Sequence, residues 1–151
     1  MGKAMNGKVT LVVQLAAALL VASCENGGDV MPVMPLQLSQ SCDVQAGCVA
    51  ASGDFSLRFS MGPGIQVLAP FPVSVEVQGA QSVDSVTVTF AMRGMDMGVN
   101  RYQLISDGAD RWLANVTLPV CSSGRSDWFA VVEVITQERR FAVDVPFAIE
   151  K

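Results

Sequence analysis

The feature that most restricts this chain is a period-two alternation of apolar and polar residues through its C-terminal two-thirds. Val73, Val75 and Val77 alternate with Ser74, Glu76 and Gln78, and Val86, Val88, Phe90 and Met92 alternate with Thr87, Thr89 and Ala91. The spacing returns at Trp112, Ala114, Val116 and Leu118, at Trp128, Ala130, Val132 and Val134, and at Phe141, Val143, Val145, Phe147 and Ile149. Side chains two apart on a strand share a face, so each run offers one apolar face to a core and one polar face to water. Phe55–Met61 and Ile65–Leu68 supply two shorter candidates, divided by Gly62-Pro63-Gly64. No helical stripe is long enough to compete. About seven short strands divided by turn residues predict an all-β fold, an antiparallel immunoglobulin-like β-sandwich.

The turns agree with this reading. Gln78-Gly79-Ala80 and Ser106-Asp107-Gly108-Ala109-Asp110 are expected to be hairpins, and Ser122-Ser123-Gly124 is a further reversal. Pro146 cannot donate to a ladder, so the last strand should be an edge or carry a bulge there. Trp112 and Trp128 each open an alternating run and read as core aromatics.

Residues 1–23 have a different logic. Lys3 and Lys8 precede an apolar stretch of 14 residues, Val9 to Ala22, which has the layout of a secretory signal peptide. A permanent membrane span needs roughly 20 apolar residues, so crossing is disfavoured. Residues 24–41 hold two glycines and two prolines without periodicity and read as a tether, in which Met31 and Met34 are expected to be incidental. Residues 42–151 are then the sandwich domain. Without residues 1–23 the chain carries 8 basic and 14 acidic side chains, a net charge of −6, which argues against a nucleic-acid partner.

The chain has no histidine. That removes the imidazole base, every Ser-His-Asp or Cys-His arrangement and the commonest metal ligand, and no enzyme activity is expected. A polar cluster of Asp96, Arg101, Arg125 and Asp127 is a distant alternative, since charged loop residues are usually solvated or paired with each other.

What chemistry remains is that of sulfur. Cys42 and Cys48 bracket a five-residue loop, Asp43-Val44-Gln45-Ala46-Gly47, where a structural disulfide closes easily and is favoured over a pair of metal ligands. Cys121 is left as a free thiol. Met92 continues the apolar face of Val86, Val88 and Phe90 and belongs to the core. Met95 and Met97 follow Gly94 and precede Gly98, where the strand should end, and alternation puts both on one side of the loop. The Met95-Asp96-Met97 loop and the end of the Leu118–Cys121 run are expected at the same pole of the sandwich. Thioether and thiolate donors without imidazole select Cu(I), so Met95, Met97 and Cys121 form a candidate ligand set, with Met92 as a further donor were it to turn out of the core. The competing reading makes these methionines flexible gap fillers over the open end of the sandwich.

Two resemblances bear on location and role. Leu20-Val21-Ala22-Ser23-Cys24 resembles the lipobox of bacterial lipoproteins. This implies a lipidated Cys24 as first mature residue and a protein anchored to membrane on the periplasmic side of the envelope. Glu25 stands where Asp marks inner-membrane retention in such signals, so the outer membrane is favoured. The run Gly94-Met95-Asp96-Met97-Gly98-Val99-Asn100-Arg101-Tyr102, the runs Leu118-Pro119-Val120-Cys121 and Gly124-Arg125-Ser126-Asp127-Trp128, and the Cys42 and Cys48 pair resemble uncharacterised proteobacterial periplasmic lipoproteins. In shape these are similar to FixH-like and YtkA-like immunoglobulin-like domains, and the likeness covers residues 42–149. It implies a lipid-anchored accessory protein binding Cu(I) in support of cytochrome oxidase or envelope copper handling. The alternative is a non-catalytic sandwich that binds another envelope protein.

Overall fold

In the computed structural model, which describes residues 31–149, the chain forms two packed sheets. Eleven strands follow in order: β1 (Val33–Pro35), β2 (Gln37–Leu38), β3 (Cys48–Ser52), β4 (Phe55–Met61), β5 (Pro70–Gln78), β6 (Ser85–Met92), β7 (Arg101–Gln103), β8 (Ile105–Ser106), β9 (Arg111–Thr117), β10 (Asp127–Ile135) and β11 (Arg140–Ala148). One sheet has the order β1-β11-β10-β6-β7 and the other β2-β3-β4-β5-β9-β8. Every pairing is antiparallel except that of β1 with β11. This is the immunoglobulin-like sandwich that the alternation predicts.

The alternation reaches the core directly. Leu57, Phe59, Val73, Val75 and Val116 from one sheet meet Val86, Val88, Phe90, Ala130, Val132 and Val145 from the other, all buried. Each such side chain contributes about 1.5–3 kcal/mol on burial. Phe90 is the aromatic hub, edge-on to Phe71, Tyr102 and Phe147, and Trp128 stacks on Phe147. Trp112 lies partly buried against this core.

Both sides of the sandwich are closed by one device. β1 and β2 belong to different sheets and meet at buried Leu36, and β7 and β8 change sheets at buried Leu104. The Leu36 N–H donates to the Ala142 carbonyl, and the Leu104 N–H to that of Val86, so each switch keeps its backbone bonded. A strand that swaps sheets shortens both exposed edges and leaves no long flat template for aggregation.

Several expectations are corrected. Residues 33–38, placed in the tether, form β1 and β2, because Leu36 finds a core position and the β11 edge has free hydrogen-bonding groups. Ile65–Leu68 forms no strand; Val67 makes a single bridge to Leu118. Gln78-Gly79-Ala80 is no hairpin turn, since β5 and β6 lie in different sheets and the segment crosses between them. Ser106–Asp110 does close the β8–β9 hairpin. Pro146 falls beyond the reach of β1, which pairs with β11 only at Arg140–Ala142, so its missing N–H interrupts no ladder.

Candidate metal centre

Topology decides which loops share a pole. β6 ends at Met92 opposite Trp128 near the start of β10, and β9 ends at Thr117 opposite Pro70 at the start of β5. The chain linking β9 to β10 must therefore pass the end of β6. That brings residues 118–126 beside residues 93–100, with the β4–β5 connection and the disulfide loop at the same pole: the Met61 N–H donates to the Val44 carbonyl, and the Leu68 N–H to that of Leu118.

At this pole the Sγ of Cys121 lies 3.4 Å from the Sδ of Met95, with the thiol as donor. Cys121 is the free cysteine among the described residues, because Cys42 and Cys48 are joined in a disulfide. Met97 is partly buried against the core, as is Met95, but lies outside hydrogen-bonding reach of the thiol. Met92 is 2% exposed and stays in the core; its carbonyl accepts the Met95 N–H and so supports the loop from below. Met34 sits on β1 against Phe141, at the opposite pole, and contributes nothing here.

The loop's shape follows from its sequence. Gly94 and Gly98 both adopt positive φ, 70° and 67°, and nothing stands within 4 Å of a Cβ built at either. Between them the Asp96 carboxylate accepts the Gly98 N–H at 2.8 Å. This Asx turn keeps Asp96 outside while Met95 and Met97 face the protein, as alternation requires.

The thiol's surroundings favour its ionised form. A hydrogen bond from the Ser123 hydroxyl, 3.0 Å away, lowers the Cys121 pKa most; backbone N–H groups of Ser123 and Arg125 and the Arg125 charge add to this against partial desolvation. Arg125 is itself held by Asp127, whose pKa it lowers, and donates to the Arg93 carbonyl at 3.1 Å, tying the two loops together. From sequence, Ser123 is expected only as part of a turn and Arg125 only in the polar cluster, not beside the thiol; a hydroxyl and a cation two and four residues after a thiol are the available signal.

The supposed polar cluster does not assemble. Arg125 pairs with Asp127, Asp96 holds its own turn, and Arg101 reaches Glu133 on β10 at 3.1 Å. Glu133 is buried between Arg101 and Arg140, which clamps β7 to β10 and β11.

Two sulfurs on one metal with bonds of about 2.3 Å lie about 3.7 Å apart in tetrahedral geometry and about 4.6 Å apart in linear geometry. At 3.4 Å Met95 and Cys121 sit just below that range, so they suit two corners of a site with three or four ligands after opening by a few tenths of an ångström. Among the described residues no three Asp, Glu, Cys or His side chains converge.

The loops of this pole also carry exposed apolar side chains, among them Leu68 (70% exposed), Val99 (98%) and Val120 (54%). Leu68 also adopts φ 60°, a left-handed conformation that costs an L-residue with a bulky side chain about 1–2 kcal/mol. Comparison with known proteins finds no family model that matches the chain and no curated relative of significant similarity.

Proposed function

We propose that this protein is a lipid-anchored envelope accessory protein that binds Cu(I) through Cys121, Met95 and Met97. The observation that carries the reading is the 3.4 Å approach of the Cys121 thiol to the Met95 thioether, from loops 26 residues apart in sequence. A thiolate and thioethers are soft donors that prefer Cu(I) to Zn(II) or Cu(II). One thiolate also cancels the ion's single charge, which reduces the cost of holding it in a partly buried site. Ser123 and Arg125 favour the thiolate, and Gly94 and Gly98 leave the loop free to adjust and bring in Met97.

The direction of the chain supports this role. β1 begins at the pole opposite the sulfurs and runs toward them, parallel to β11. Cys24, the proposed site of lipidation, lies outside the described residues and precedes Val33 by nine residues. Extended chain covers at most about 3.6 Å per residue, so the anchor keeps the opposite pole within about 30 Å of the membrane.

Titration of the full chain in detergent with Cu(I), against a competing chelator, tests the reading. One equivalent should bind, and the double variant Met95→Ala/Met97→Ala should lose at least about tenfold in affinity. Met34→Ala, at the other pole, should change nothing. If the double variant matches the parent in affinity and loses only stability, these methionines are packing groups and copper has no site here.

A further inference from the structure

The exposed apolar side chains of the sulfur pole have little cover within the protein. Leu68, Val99 and Val120 come from three separate loops and are drawn to one pole by the Val67–Leu118 bridge and by the Met95–Cys121 contact. Leu68 is the most informative of them. Its left-handed backbone is held by the hydrogen bond from its N–H to the Leu118 carbonyl, a position that glycine would occupy without strain, yet the leucine side chain buries little in return. A strained residue whose side chain gains nothing in the free protein points to a contact made outside it. The two basic side chains of these loops are neutralised, Arg125 by Asp127 and Arg93 by Asp144 at 4.0 Å, whereas Asp96 has no ion-pair partner among the described residues.

We infer that the sulfur pole is the docking surface for a protein carrier of Cu(I), one that presents its metal-bearing thiolate within an apolar rim of net positive charge; this rests on the Cu(I) reading above. Three side chains expose only a few hundred Å², well below the roughly 1,000 Å² of a durable interface, so the encounter is brief, as cargo transfer requires. Asp96 favours a basic rim and disfavours a second copy of this acidic chain. Transfer is a ligand exchange without redox change. A bond forms from Cu(I) to the Cys121 sulfur as the bond to the carrier's sulfur breaks, and the proton leaving Cys121 passes to the released carrier thiolate. Met95 lies beside the incoming ion and holds it during the exchange.

Two synthetic carriers loaded with Cu(I) test this on the full chain by stopped-flow at low ionic strength. Both have one central cysteine, flanked in one by leucine and lysine and in the other by serine and glutamate. Transfer from the apolar basic carrier should be at least about tenfold faster. Leu68→Gly, which relieves the backbone and preserves the fold, and Val120→Ser should each erase most of that preference and leave equilibrium Cu(I) affinity unchanged. Equal rates from the two carriers, or a preference that survives both variants, overturns the docking surface and spares the metal site. A Cu(I)-bridged dimer in sedimentation overturns it in favour of self-association, and a parent chain that binds no Cu(I) overturns both readings.

Discussion

Two loops at opposite poles of the sandwich, the crossover at Gly79 and the methionine loop, are built on opposite principles. At the pole where β1 begins, the Ser52–Asp54 turn, the crossover after β5 and the Thr136–Arg139 turn close over Phe55 and Phe141, whose rings stack 3.7 Å apart. An open cleft of about 470 Å³ remains there, lined by Met34, Phe55, Gly79, Arg139 and Phe141 among others. Backbone rests on backbone: a Cβ at Gly79, where φ is 80°, would run into the Asp54 carbonyl oxygen. At the sulfur pole the glycines of the methionine loop face open space, and what joins the loops is a contact between two sulfurs and a hydrogen bond from Arg125 to a carbonyl. The crossover at Gly79 is locked by packing and the methionine loop is left adjustable, and the candidate chemistry lies at the adjustable one. Metal exchange needs ligands that can move by fractions of an ångström, which close-packed backbone does not allow.

The contrast is broken or sharpened most strongly by the glycines. Gly79→Ala combines left-handed strain with a collision against main chain and should cost about 3 kcal/mol. Gly98→Ala carries the strain alone, about 1 kcal/mol. Urea unfolding of the two variants measures the difference directly; equal losses would mean that the poles are equally tolerant. Next in size is the disulfide, which closes a short loop at the sulfur pole. Replacing Cys42 and Cys48 together by serine should lower stability by about 2–3 kcal/mol on the chain-entropy account, without weakening Cu(I) binding through Cys121. A large loss of Cu(I) affinity in that variant would place the pair in the site after all.

The smallest effect concerns the thiol itself. Its pKa is lowered in the folded protein, so alkylation of Cys121 should show a midpoint below that of the same cysteine in the unfolded chain, and Ser123→Ala should move it upward. The sign for stability follows. A depressed thiol stabilises the fold above its unfolded pKa, and that contribution disappears as pH falls through the folded value. A midpoint unaffected by Ser123→Ala would remove the hydroxyl from the account.

How much of the site was legible in sequence depends on the range of each interaction. Gly94 and Gly98 around Met95-Asp96-Met97 announce a loop with both methionines on one side, because strand alternation and turn chemistry are local. The Cys42–Cys48 disulfide is legible for the same reason, since six residues allow little but a closed loop. Ser123 lies beside Cys121 in sequence, yet its hydrogen bond depends on how the turn before β10 is wound, which composition does not specify.

Alternation by itself determined the sandwich. A period of two admits no helix, and seven half-apolar strands bury their faces by stacking two sheets. Sequence also determined that Met92 would be interior, by its place on the Val86–Phe90 face. It did not determine the sheet partners. Gln78-Gly79-Ala80 has the residues of a hairpin turn and still crosses between sheets, because the choice rests on long-range pairing of β5 with β9 and of β6 with β10. Residues 33–38 carry a proline and too short an alternation to read as strands, and still form them, because an unpaired β11 edge and a core pocket for Leu36 exist only after the rest has folded. The meeting of Met95 with Cys121 belongs to the same class: both lie at strand ends, but the strands occupy different sheets, and only the packing of one sheet on the other brings the two sulfurs within 3.4 Å.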